Sequence, residues 1–209
     1  RIKLGLNGLG RIGRHIFKMC IDDPLIDLVG INEINPDLNN WAYTLNYDSI
    51  YGQSKKKTEI SDNKIICDDN IIYTSMHNDI SQVPWDDWGA NIIIDSSGVL
   101  ENTLKAKKIL NKTNKKILFT NSPDNVDFTM VLGANDEQYA YDKHHLIASS
   151  ICDATAIAPV TKIIDDLFQI KLGYVTTLHP WLSYQNLMDG PSSSWSVPGE
   201  VYHHYALGR

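Results

Sequence analysis

Apolar residues along this chain fall into short runs, with longer stretches between them where they recur every three or four positions. The first run, 2–6, reads as a strand, and 14–20 carries its apolar residues on a helical period. A second run at 26–31 reads as the next strand. Three runs at 57–60, 64–67 and 70–74 are broken by Asp62-Asn63 and Asp68-Asp69, which predicts an antiparallel insertion with tight turns. The run 91–95 is apolar through its centre, as a parallel strand buried on both faces must be, and 100–110 predicts a helix with Thr103 and Lys105 outward. Further strands are expected at 116–119, 129–132 and 146–148. Strands alternating with helices predict an α/β fold, a doubly wound parallel sheet, over residues 1–149. From Ser149 the pattern changes: 154–168 predicts a long apolar helix, begun or kinked at Pro159, and 171–178 a β-rich run that ends at His179. Residues 150–209 are therefore expected to begin a second domain, of α+β type.

The turn between the first strand and helix is Asn7-Gly8-Leu9-Gly10-Arg11-Ile12-Gly13, a G-x-G-x-x-G sequence in the context that binds dinucleotides. Gly8 permits the tight turn, Gly10 lets a pyrophosphate approach bare backbone, and Gly13 allows helix and strand to pack closely. The helix N-terminus then offers free N–H groups and a positive dipole end to the anion. The second strand ends at Asn32-Glu33, with Glu33 twenty residues beyond Gly13. An acid there accepts hydrogen bonds from ribose hydroxyls and repels a 2′-phosphate, which favours NAD over NADP.

Composition narrows the class of partner. The 209 residues carry a net charge of −6, with a pI near 5.6 and 43% hydrophobic content. That balance argues for a folded globular chain and against nucleic acid as a main partner, because phosphate backbones are bound by concentrated Lys and Arg. The one basic run, Lys55-Lys56-Lys57, reads as a solvated loop or strand edge. No apolar stretch reaches bilayer-spanning length and no signal-peptide pattern precedes the first strand, so no membrane partner and a cytoplasmic location are expected. Cys20, Cys67 and Cys152 form no paired spacing, which fits a reducing compartment. The end at Tyr205-Ala206-Leu207-Gly208-Arg209, without a closing helix or polar tail, reads as a longer sequence interrupted.

Cys152 follows a strand and stands at or near the start of a helix, where N–H groups and the helix dipole favour a thiolate. Cys20 and Cys67, on a helix face and in a strand, read as small buried apolar residues. A helix-start thiol and a strand-end imidazole, His179, beside a nicotinamide site are suited to aldehyde oxidation through a thiohemiacetal. The adjacent pairs His144-His145 and His203-His204 would point to opposite faces of a strand, so they read as surface or interface residues and no metal site is expected. Trp41, Trp85, Trp88, Trp181 and Trp195 read as packing anchors.

These pieces resemble the glyceraldehyde-3-phosphate dehydrogenase family. The matching segments are the glycine turn through Arg14, Tyr47-Asp48-Ser49-Ile50-Tyr51-Gly52, Asp95-Ser96-Ser97-Gly98-Val99, Cys152 with Ala158-Pro159 downstream, Thr176-Thr177-Leu178-His179, and Asp189-Gly190-Pro191-Ser192. The resemblance implies an N-terminal Rossmann domain, a catalytic domain beginning near Ser149, and a homotetramer with the loop around 182–200 at its core. It also implies that Cys152 is the nucleophile, that His179 is its base, and that the partner is a small-molecule aldehyde, phosphorylated or not. By the same match Asn7, Gly8, Arg11, Ile12, Glu33, Ser97 and Gly98 surround NAD, with Asn121 where the family usually has a serine.

The chain departs from that pattern around the nucleophile. The family usually carries Ser-Cys-Thr-Thr-Asn, and here Ile151-Cys152-Asp153-Ala154-Thr155 stands in its place. A carboxylate at 153 would repel an attacking phosphate by on the order of a few kcal/mol at close range and intermediate dielectric. Beyond His179 the expected threonines and lysine are replaced by Leu182, Tyr184 and Asn186. Ile151, Asp153 and Leu182 thus mark a rebuilt acceptor site. Three readings stay open: an aldehyde dehydrogenase of this type with altered substrate or acceptor, the ordinary phosphorylating enzyme of glycolysis, and a non-catalytic NAD-binding scaffold.

Overall fold

The first two apolar runs become β1 (Ile2–Asn7) and β2 (Ile26–Asn32), paired in parallel across the crossover helix α1 (Arg11–Asp22). Both strands lie mid-sheet and are covered on two faces, so Leu4, Leu6, Leu28 and Ile31 are buried whichever way they point. The computed structural model describes residues 1–49, 52–110 and 115–178. Beyond β2 come α2 (Leu38–Asn46), β3 (Tyr47–Asp48), β4 (Gly52–Gln53), β5 (Thr58–Ser61), β6 (Lys64–Cys67) and β7 (Asn70–Ser75). They are followed by β8 (Ile92–Asp95), α3 (Asn102–Leu110), β9 (Lys116–Phe119), β10 (Phe128–Thr129), β11 (Leu146–Ala148) and α4 (Cys152–Phe168).

Among the described residues, nine strands form one sheet in the order β10-β11-β9-β8-β1-β2-β7-β6-β5. It is parallel from β10 to β7, and β5 and β6 join antiparallel as the expected insertion. Two buried clusters cover its faces. One gathers Phe17 and Cys20 of α1 with Trp41 and Leu45 of α2, and the other gathers Ala106 and Ile109 of α3 with Trp85. The register places Gly5 opposite Gly30, and a Cβ on either would come within 2.6 Å and 2.1 Å of the Trp85 and Trp88 rings respectively. Two glycines side by side thus make room for two indoles packed edge to face at 5.4 Å.

Four details differ from what the pattern predicts. Thr103 is buried, because α3 turns Asn102, Thr103, Ala106 and Ile109 inward and leaves Leu104 outside. The strand expected at 129–132 stops at Thr129: Asn135 Oδ1 takes the Val131 N–H at 2.8 Å and Asp136 Oδ1 takes the Gly133 N–H at 2.6 Å, diverting the backbone into a turn. No strand forms over 171–178, and α4 ends where Gln169 adopts φ 55°. The helix α2 was not evident in the pattern. It is capped by Asp37, whose Oδ1 accepts from the N–H groups of Asn39 and Asn40, and it buries Trp41 and Leu45.

Side chains read as surface features also prove more engaged. Lys56 donates to the Ile21 carbonyl at 2.8 Å and pairs with Asp22 at 3.2 Å, holding the insertion against α1. His144 stacks on Phe128 at 4.7 Å and is half-buried. Contacts divide the chain into two compact units, Arg1–Pro159 and Val160–Arg209. Among the described residues no helix is long and apolar enough to cross a membrane.

Candidate active site

Chain order reverses at β1, with β2 on one side and β8 on the other, and the carboxyl ends of these strands open a crevice. The glycine turn fills it from the β1 side. Gly8 takes φ 91°, a left-handed conformation that a side chain would strain, and a Cβ there would meet the Ser97 nitrogen at 2.7 Å. Gly13 faces the turn it follows, since a Cβ would fall 2.0 Å from the Gly8 carbonyl oxygen. Gly10 faces open space, with nothing within 4 Å of where a Cβ would stand. α1 begins at Arg11, and Arg14 is the first to donate back into the helix, to the Gly10 oxygen at 2.9 Å. The N-terminal turn of α1 is therefore aimed at an anion seated over Gly10.

The turn is pinned by the strand ends. Gly8 N–H donates to the Asn32 carbonyl at 2.8 Å, and Ser96 Oγ–H donates to the Gly8 carbonyl at 2.8 Å. Glu33, half-buried after β2, accepts from Leu9 N–H at 2.6 Å and from Asn35 N–H at 3.2 Å. A carboxylate offers about four acceptor positions, so two remain for ribose hydroxyls. Glu33→Gln should keep the bond to Leu9 while removing the charge. The expected result is NAD binding weakened about tenfold, as for loss of a charge-assisted hydrogen bond, and a smaller preference over NADP. Calorimetry with both dinucleotides measures this, and an unchanged ratio would refute the assignment.

Below the crevice runs a buried polar chain that sequence reading missed. Asn7, Asn32 and Asp95 are the last residues of β1, β2 and β8, and all three are buried. Asn7 donates to Asp95 at 3.0 Å, and Asn32 donates to Asn7 at 2.7 Å. Asn102 donates to the other Asp95 oxygen at 2.9 Å, and Ser97 N–H donates to Asp95 at 3.0 Å. Ser75 and the His77 N–H both reach Asn32 at 2.8 Å. Asp95 is thus a buried carboxylate held by three N–H donors, which compensates its removal from water. A polar residue closing each apolar strand was the available signal. The cleft above has a volume of about 190 Å³ and includes Gly8, Gly10, Glu33, His77, Ser97 and Asn102 in its lining.

The other expected site residues lie on the same edge of the sheet. Arg11 and Ile12 form the first turn of α1, with Ile12 exposed. Ser97 and Gly98 are exposed after β8, and Asn121 is half-buried after β9. β11 leads through Ser149 to Ser150, which is buried at φ 68°. A non-glycine residue spends roughly 1–2 kcal/mol there. Ile151, Cys152 and Asp153 follow at the mouth of α4, with Ile151 and Cys152 exposed and Asp153 half-buried. The Cys152 thiol donates to Asp153 Oδ1 at 3.4 Å. His179 and Leu182 lie outside the described residues.

The three thiols differ sharply. Cys20 and Cys67 are buried in the sheet-and-helix core, and Cys152 is exposed. Burial, with a contribution from the charge of Asp23, pushes the Cys20 thiol up to about 11, and burial also raises Cys67. Neither is a nucleophile near neutral pH.

The glyceraldehyde 3-phosphate dehydrogenase NAD binding domain model matches residues 2–103, and the C-terminal domain model of the same enzyme matches residues 151–197. The chain belongs to the glyceraldehyde-3-phosphate dehydrogenase family. Glyceraldehyde-3-phosphate dehydrogenase 1 of Bacillus cereus is 30% identical over 189 residues, 90% of this chain and 56% of the relative. The Geobacillus stearothermophilus enzyme is 30% identical over 190 residues, 91% of this chain and 56% of that protein. That of Cochliobolus heterostrophus is 36% identical over 193 residues, covering 92% and 56%. The chain thus spans about half the length of the curated relatives it matches. NAD is the cofactor of this NAD-binding oxidoreductase family, and the open face of Gly10, the α1 N-terminus and the unfilled acceptor positions of Glu33 fit it.

Proposed function

We propose that this protein oxidises a small-molecule aldehyde with NAD, through a thiohemiacetal and then a thioester on Cys152. The carrying observation is that Cys152 is the exposed thiol among three, at the start of a helix on the same sheet edge as the glycine turn. In this reading Cys152 Sγ attacks the aldehyde carbon, and His179 accepts first the thiol proton and then the hydroxyl proton as the carbonyl reforms. When bound, NAD accepts the hydride. The α1 N-terminus holds the pyrophosphate, Glu33 the ribose hydroxyls, and the Asn7–Asp95–Asn102 chain keeps the strand ends beneath them in register.

A homotetramer in the cytoplasm completes the proposal, by likeness to the family. The test is NADH formation by the full-length protein with glyceraldehyde 3-phosphate and with unphosphorylated aldehydes. NADH from at least one of them is expected. None from any, with NAD still bound in calorimetry, would replace this reading with that of a non-catalytic NAD-binding protein.

A further inference from the structure

We propose that Asn102 is a positioning residue for the dinucleotide: it fixes the Ser97 hydroxyl as a hydrogen-bond donor to an acceptor oxygen in the ADP-ribose part of NAD. The proposal rests on the reading of this crevice as the NAD site. A serine hydroxyl has one proton to donate and two lone pairs with which to accept. At Ser97 both lone pairs are filled from within the protein. Val99 N–H donates to Oγ at 3.2 Å, across Gly98 at φ 75°, and Asn102 Nδ2 donates to it at 3.0 Å. The hydroxyl proton is what remains, and among the described residues no acceptor takes it. Ser97 is exposed and lines the cleft of about 190 Å³, so that proton is offered to whatever binds there. The backbone of Ser97 also adjoins the glycine turn, since a Cβ on Gly8 would come 2.7 Å from its nitrogen.

The amide cannot take the opposite role. Asn102 Nδ2 also donates to Asp95 Oδ2 at 2.9 Å, and turning the amide over would set its oxygen against that carboxylate. Asp95 Oδ1 in turn accepts the Ser97 backbone N–H at 3.0 Å. One buried carboxylate thus fixes the place of Ser97 and, through Asn102, the direction in which its hydroxyl donates. Asn102 is 3% exposed, and its Oδ1 has no hydrogen-bond partner among the described residues. A buried acceptor left unpaired is unfavourable, so packing alone does not account for an amide at this position. Its two N–H bonds, to Asp95 and to Ser97, are what it supplies.

A double-mutant cycle read by calorimetry tests this on the full-length protein, with melting temperatures to check that each variant is folded. Ser97→Ala is expected to weaken NAD about tenfold, as for loss of a hydrogen bond to the cofactor, and Ser97→Thr, which keeps the hydroxyl, to retain most of the affinity. The same loss is expected with ADP-ribose, which lacks the nicotinamide. Asn102→Leu should weaken NAD by about three- to tenfold where Ser97 is present and have no further effect in the Ser97→Ala background, because the two residues act through one hydroxyl. A merely structural Asn102 would instead weaken binding equally in both backgrounds. Should the Leu variant fail to fold, Asn102→Ala takes its place in the cycle, and should that fail too, the contrast of Ser97→Ala with Ser97→Thr decides. Wild-type affinity in Ser97→Ala, a loss seen with NAD and not with ADP-ribose, or additive losses in the cycle would overturn the proposal. No NAD binding by the wild type would instead count against the reading of the crevice itself.

Discussion

Cys152→Ala is expected to abolish aldehyde-dependent NADH formation, by at least ~10³-fold, while leaving NAD affinity unchanged. The magnitude follows from removing the atom that forms the covalent intermediate: without it no thiohemiacetal exists, and hydride loss must proceed from an aldehyde hydrate in solution geometry. A ~10³-fold loss corresponds to about 4 kcal/mol of transition-state stabilisation. Stability should change little, because Cys152 is exposed and, among the described residues, its thiol makes a weak S–H donation to Asp153. Stopped-flow NADH fluorescence and calorimetry read the two quantities separately. Undiminished turnover in the alanine variant would remove Cys152 from the mechanism.

Gly13→Ala should damage both folding and cofactor binding. Its new methyl would lie 2.0 Å from the Gly8 carbonyl oxygen, 2.8 Å from Ser96 Oγ and 2.9 Å from the Gly8 carbonyl carbon. Relief requires α1 to move off the glycine turn. That turn is held by Asn32 and Ser96 and cannot follow without breaking those bonds. Overpacking of this kind costs about 1–3 kcal/mol, or roughly 2–12 °C in Tm for a chain of this size. NAD affinity should fall by about 100-fold, since the helix N-terminus and the turn no longer converge on the pyrophosphate. Gly10→Ala separates the two effects: with open space at Cβ and an ordinary φ of −68° it should fold normally and still bind NAD poorly. A Gly13→Ala protein with wild-type Tm and affinity would show that helix and strand do not pack as described.

The parts of the site that were legible are local in the chain. The glycine turn, the acid at Glu33 and a thiol at the head of a helix each depend on residues within about one strand or one helix of each other, and their spacing alone states the geometry. Other features depend on partners far along the chain. Asn7 meets Asp95 across 88 positions, and Asn32 meets Ser75 across 43. A polar residue closing each apolar strand marks the members, but neither segment says which partner it meets, because strand order alone makes them neighbours. Thr103 was misjudged for the same reason, since helix phase is set by the sheet it packs on. The strand expected at 129–132 failed differently: Asn135 and Asp136 offer the backbone closer partners than the sheet does.

By itself the sequence determined the α/β alternation, the dinucleotide turn with its acid at Glu33, and which cysteine heads a helix, because periodicity and short-range backbone sterics act within a few residues. Only the tertiary structure decided that Asp95 joins Asn7 and Asn102 in the cleft floor, that Asn32 meets Asn7 there, and that α3 turns Thr103 inward. Those depend on which segments pack together, and packing is settled by the sheet order as a whole.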